Sequence, residues 1–262
     1  MKPFTLFFGA SGQVGTSDVT HDSQYKLVVN TVDQLRDHLL KEEVLRQPFL
    51  HIFRNCYNDD TNFPQHLEPC TPVADQVSNM AKIQEIRSHP PTDNDVVDFL
   101  TNSFPDLYMA PGDFGPEGVD WGKTFSGQGE ADKEKIAIDV QLVHLWLQAV
   151  STVDVQCELL IKSLSQVQTP MLSRLWFMFI AVFLHELAHS SLVWYGMGAC
   201  DSPQLSGIER ESGGYIEKAF FGGISCAEFE LEPMHLVDIG IERGQVFYPI
   251  GESQSLMPVT QY

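Results

Sequence analysis

Residues 171–195 read MLSRLWFMFIAVFLHELAHSSLVWY. Thr169-Pro170 separates this stretch from what precedes it, and Gly196 and Gly198 follow it, so the spacing predicts one long helix over about Met171 to Tyr195. The stretch is apolar nearly all round, which marks a helix buried in the middle of a domain. Its C-terminal half carries the pattern H-E-x-x-H in His185, Glu186 and His189. Residues four apart on a helix lie one above the other, so both imidazoles can point at one ion. Glu186 is offset around the helix and can reach a water on the open side, where a general base is needed.

Chance alone is a weak explanation. With nine His and seventeen Glu in the chain, a shuffled sequence would show the pattern in about 2% of cases. Two histidines and a glutamate inside an apolar helix are costly to bury without partners, and a metal supplies one. The competing reading has them as core residues satisfied by local hydrogen bonds.

Composition bounds what the rest can be. A chain of 262 residues with 43% hydrophobic residues can bury a sizeable core. A formal net charge of -19 makes nucleic acid and anionic membranes poor partners, because both need clustered Lys and Arg. The five cysteines are scattered and lack a C-x-x-C pair, which argues against a disulfide framework and for a reducing, cytoplasmic setting. A secreted mature form is also compatible with the sequence. The apolar run Phe4 to Phe8 is too short for a signal-peptide core, and Leu175 to Leu184 is too short to span a bilayer.

Along the chain, residues 3–10 and 48–54 (PFLHIFR) read as strands, with a helix between them spaced on Val32, Leu35, Leu39 and Leu40. Helical pieces follow at VADQVSNMAKIQEIR and NDVVDFLTNSF. Residues 110–130 are a Gly- and Pro-rich loop. Its Gly122-Lys123-Thr124 is no phosphate loop, since Gly118 falls one residue too close. Asp132 to Ser165 reads as a long helix with Ile136, Val140, Val143, Leu147 and Val150 on one face. After residue 199, GIERESGGYIEKAFFGG reads as a shorter helix. ISCAEFELE, HLVDIGIE and QVFYPIG then alternate as strands, the last two joined at Arg243-Gly244. Glu228, Glu230 and Glu232 read as a solvated strand face.

The segment Val182 to His189, VFLHELAH, resembles the zincin metallopeptidases, although Ser191 stands where they usually have an apolar residue. The metzincin extension is absent, since Leu192 and Tyr195 occupy its Gly and third His positions. The resemblance therefore implies a gluzincin-like His2Glu site for Zn2+, closed by a Glu from the following helix. Glu209, Glu211 and Glu217 lie 20, 22 and 28 residues beyond His189. Thermolysin-like enzymes place the ligand near Glu209. Glu211 is preferred here, because Ser212, Gly213 and Gly214 let its helix approach closely. The stretch also looks like uncharacterised fungal zincin-like proteins. Glu217 reads as a group behind the ligands or a surface charge.

The resemblance covers residues 176–222 and implies a zinc-activated water, with Glu186 as general base. Oxyanion-stabilising candidates are His235, Tyr215, Tyr195, Arg210 and Arg243. His144, on a stripe with Gln141 and Gln148, and Cys200 are further candidates near the site. The implied activity is a zinc metallopeptidase acting on a peptide or small amide. The alternatives are a non-proteolytic zincin-fold enzyme with a specialised biosynthetic role, or a non-catalytic protein that metal stabilises. The expected fold class is α+β, a single zincin-like domain over residues 1–262 with its metal-site region at about 171–223. Its H-E-x-x-H helix should pack on a second long helix beside a small, mainly antiparallel sheet. A substrate-binding edge strand is expected over the H-E-x-x-H helix, with Lys123 to Gly127 one candidate. Oligomeric state is left open.

Overall fold

The structure is a computed structural model that describes residues 1–9, 16–58, 73–111, 121–124, 135–159, 169–198, 200, 202, 205, 211–231, 234–243 and 246–250. The chain is α+β. In order it forms β1 (Leu6–Phe8), β2 (Ser17–Asp18), α1 (Lys26–Lys41), α2 (Glu43–Asn58), α3 (Val73–Ser88), α4 (Asp93–Asn102) and β3 (Asp106–Ala110). These are followed by β4 (Gly122–Thr124), β5 (Lys135–Asp139), α5 (Val140–Leu159), α6 (Thr169–Tyr195), α7 (Ser212–Phe221), β6 (Ile224–Leu231), β7 (Met234–Arg243) and β8 (Val246–Pro249).

One expected strand is a helix. Residues 48–54 lie inside α2, where Phe49, Ile52, Phe53 and Cys56 are buried at helical spacing. Pro48 suggests a break there, but Val44, whose carbonyl an N–H at position 48 would have bonded, is exposed to water.

The larger sheet also departs from expectation. Its order is β2-β1-β3-β5-β4, with β1, β3 and β5 parallel and only the outer β2 and β4 antiparallel. It is therefore not mainly antiparallel. Residues 135–139, expected as the start of a helix, are strand β5, and α5 begins at Val140. Ile136, Ala137 and Ile138 are all buried. A strand covered on both faces shows no polar alternation, so it passes for part of a helix. The Asp139 carboxylate accepts the Gln141 N–H at 2.6 Å and so caps the start of α5. The second sheet, β6-β7-β8, is antiparallel as its alternation predicts. The side chains of Glu228, Glu230 and Glu232, and the turn residue Gly244, lie outside the described residues.

Two buried arginines hold the helical layer. Arg36 donates to the carbonyls of Leu100, Lys2 and Thr101, and its guanidinium lies 4.3 Å over the Phe104 ring. Arg46 pairs with both carboxylate oxygens of Asp93 and caps the carbonyls of Leu39 and Leu40. Both charges are thus hydrogen-bonded, the condition for burying them at tolerable cost.

Helix α6 runs through the core, with Leu175, Phe179, Phe183, Leu184, Leu187 and Ala188 buried. Trp146 of α5 meets Phe179 with ring centroids 4.9 Å apart. At 27 residues α6 is longer than its most apolar segment suggests, and residues 171–195 are long and apolar enough to cross a membrane by length and composition. Its end is built on Gly198, at φ 69°, whose N–H reaches the Val193 carbonyl while that of Gly196 reaches Leu192.

Candidate metal centre

On α6 the rings of His185 and His189 have centroids 5.1 Å apart, as an i, i+4 pair should. Helix α7 packs across them. Glu211 is its N-cap: the carboxylate accepts the Gly214 N–H at the positive end of the helix. From there it also reaches both imidazoles. Glu211 Oε1 lies 2.5 Å from His189 Nε2, and Oε2 lies 3.7 Å from His185 Nε2. One donor atom from each of the three residues falls within 4.8 Å of the others.

The close approach depends on Gly213. A Cβ added there would meet the His185 ring at 2.3–2.4 Å. Gly213→Ala is therefore expected to push α7 off α6 at an overpacking cost of about 1–3 kcal/mol. With roughly 2–4 °C lost per kcal/mol in a domain of this size, a melting curve should show a drop of several degrees. An unchanged Tm would mean that the helices do not meet this closely.

Glu217 stands behind His185. Its Oε1 lies 2.6 Å from His185 Nδ1, and its Oε2 accepts both the N–H and the O–H of Ser225 on β6. Only 4% of Glu217 is exposed. With Nδ1 committed to this carboxylate, Nε2 is the nitrogen left to face Glu211. A carboxylate that fixes the tautomer of a ligating histidine is a recurrent feature of metal sites.

The three side chains could hold a metal ion. Tetrahedral zinc with bonds of 2.0–2.2 Å separates its ligand atoms by roughly 3.4 Å. The His185–Glu211 separation of 3.7 Å already suits that, whereas the 2.5 Å His189–Glu211 contact is a hydrogen bond that would have to open. The site's charges bear on its protonation. Burial alone would lower the pKa of His185, but the hydrogen bond to Glu217 and the charges of Glu211, Glu186 and Glu217 raise it to about 9. Burial would likewise raise Glu211, but the His189 hydrogen bond, both imidazoles and the Gly214 N–H bring it down to about 2.

Glu186, 6% exposed, lies against β4. Burial pushes its carboxyl above the usual range, against the pull of His185, His189 and the Thr124 hydroxyl. A cleft of about 330 Å³ opens here, lined among others by Thr124, Glu186, His189, Leu192 and Cys200. A wider cleft of about 970 Å³ lies elsewhere, between the start of α1 and α5. It includes none of the three donor residues, so its size does not make it the chemical centre.

Of the remaining candidates, Glu209 and Arg210 lie outside the described residues, as does the side chain of His235. Tyr195 stacks on Phe53 at 4.6 Å with its hydroxyl buried, and Tyr215 stacks on His51 at 5.2 Å. Arg243 donates to the Phe221 carbonyl. The two tyrosines are thus engaged in ring stacking and Arg243 in a backbone hydrogen bond. His144 lies beside Tyr25 and lines the wider cleft. Spacing does not signal Gly122 and Thr124, which reach the site from a strand distant in the chain, or Ser225, which lies on the strand that follows α7. The candidate edge segment Lys123 to Gly127 includes Thr124; of that segment the described residues Lys123 and Thr124 lie in β4, the outer strand of its sheet, and the rest lies outside the described residues. In comparisons with known proteins, the chain matches no family model, no curated protein and no solved structure.

Proposed function

We propose that the chain is a zinc-dependent hydrolase of zincin type that cleaves amide bonds in peptides or small amides. His185, His189 and Glu211 hold the ion, and Glu186 is the general base. The observation that carries this reading is the His185–His189–Glu211 cluster, with His185 turned toward it by the buried Glu217. A set of core histidines satisfied only by local hydrogen bonds does not require three side chains from two elements to converge on one point.

Zinc bound there supplies a Lewis acid that lowers the pKa of water and polarises a carbonyl. The chain's residues do the rest. Glu186 takes a proton at its carboxylate and returns it to the departing nitrogen. Burial against β4 leaves that carboxylate facing the cleft with little exposure elsewhere. Glu217 keeps His185 in one tautomer and one ring orientation. The small cleft favours a short segment or small amide over an extended folded substrate.

Zinc binds deprotonated ligands, so uptake must release protons. His185 has a folded-state pKa of about 9 against an ordinary 6.5. In the metal-free chain its stabilising interactions are fully present below 6.5 and are lost as pH rises through 9. Glu211, at about 2 against 4.5, acts the other way. Its contribution is present above 4.5 and lost as pH falls through 2. The contributions of these two groups are therefore both fully present between about 4.5 and 6.5. Zinc affinity should rise with pH up to about 9, and at pH 7 uptake should release close to one proton. Calorimetry in buffers of different protonation enthalpy reads that number, and zinc uptake without proton release would contradict the assignment of His185. Digestion of a peptide library by the zinc-loaded chain tests the reaction itself, since no cleavage would leave a non-proteolytic enzyme or a metal-stabilised protein.

A further inference from the structure

We propose that β4 is a rigid seat for Glu186 and that Thr124 is its positioning residue, an inference that rests on Glu186 being the base. Residues alternate in direction along a strand, so Gly122 and Thr124 share the face toward α6, while Lys123 between them also borders the cleft. Gly122 and Thr124 both touch Glu186. A Cβ on Gly122 would stand 2.7 Å from Glu186 Cγ, 2.9 Å from its Oε1 and 2.8 Å from Val182 Cγ1. Only glycine leaves room for the carboxylate stem to lie flat on the strand. Thr124 Oγ1 lies 2.8 Å from Glu186 Oε2 and 2.8 Å from the Glu186 backbone carbonyl. With one proton to give, the hydroxyl shares it between these two acceptors, which holds the end of the side chain beside its own backbone and restricts the rotation of a three-torsion side chain.

The seat is itself fixed. Gly122, Lys123 and Thr124 pair with Ile138, Ala137 and Ile136 of β5, and the Asp139 N–H donates to the Trp121 carbonyl at 2.8 Å. The buried strand β5 belongs to the parallel core of the sheet, so Glu186 is referenced to that core as well as to its own helix. Holding a catalytic group to within a fraction of an ångström is what makes proton transfer efficient, and a displacement of about 1 Å can cost 10²-fold.

Thr124→Val keeps the shape and removes the hydroxyl. It should lower kcat by roughly 10–100-fold, with KM and zinc content unchanged, and Thr124→Ser should recover most of the loss. Equal losses in the Val and Ser variants, or loss of zinc in either, would overturn the proposal. A second readout needs neither metal nor substrate. In the metal-free chain, Thr124→Val should lower Tm by several degrees, because a hydrogen bond to a charged group is lost. In a Glu186→Ala background the same substitution should cost clearly less. Additive shifts would show that Thr124 and Glu186 do not interact and would sink the seat. If zinc uptake and cleavage fail while this coupling stands, the fault lies with the proposed function rather than with the seat.

Discussion

Replacing Glu186 by Gln should leave one zinc ion per chain in place and lower hydrolysis by roughly 10²- to 10⁴-fold, the range a lost general base usually costs. The substitution is nearly isosteric, and the amide oxygen can still accept from Thr124, so the seat on β4 is kept. What disappears is the ability to take up a proton. Stability should move the other way. Burial raises the Glu186 carboxyl in the folded chain, which means folding is penalised as pH rises past the ordinary carboxylate value. The neutral amide escapes that penalty, so the variant should melt at the same temperature as the wild type or higher at pH 7. Near-normal turnover in a zinc-loaded Glu186→Gln chain would remove Glu186 as the base.

Truncating Glu211 should have the second large effect. Glu211→Ala is expected to lower zinc affinity more than the roughly 10–100-fold typical of losing a group behind the ligands. Glu217→Ala should fall within that range and still bind one ion at saturating zinc. Glu211→Ala also strips the N-cap of α7, at a cost of about 0.5–2 kcal/mol. Glu211→Gln separates the two roles, since it keeps an oxygen for the Gly214 N–H but loses the charge. Metal analysis after dialysis reads all four chains, with Glu209→Ala as the control expected to keep its zinc. Zinc retained by Glu211→Ala and lost by Glu209→Ala would exchange the two assignments.

What the sequence made legible follows from the range of the interactions. The pairing of His185 with His189 is a four-residue effect on a single helix, so spacing alone specifies it. Glu211 could be preferred because Gly213 and Gly214 announce a close approach, and Gly213 does lie against the His185 ring. Glu217 was harder: its ion pair with His185 follows from where α7 lands on α6, and sequence left it equally readable as a surface charge. Thr124 stands out only as part of a candidate edge segment and Ser225 left no trace, since strand pairing and sheet packing bring them to the site. The same limit explains the errors in the fold. Residues 135–139 are buried on both faces and show no period of two, and residues 48–54 put strand-favouring residues on a helix behind Pro48. The class, α+β, needed only the coarse distribution of helices and strands. The parallel core of the larger sheet needed the long-range pairing of β1, β3 and β5.

The central claim is that His185, His189 and Glu211 form one zinc site, and zinc stoichiometry tests it most directly. The wild-type chain, loaded with zinc at pH 7.5 and dialysed, and a His185→Ala/His189→Ala double variant should be compared by elemental analysis. The account predicts close to one zinc per wild-type chain and essentially none in the variant. A wild-type chain that takes up no zinc, or a double variant that holds as much as the wild type, would contradict it.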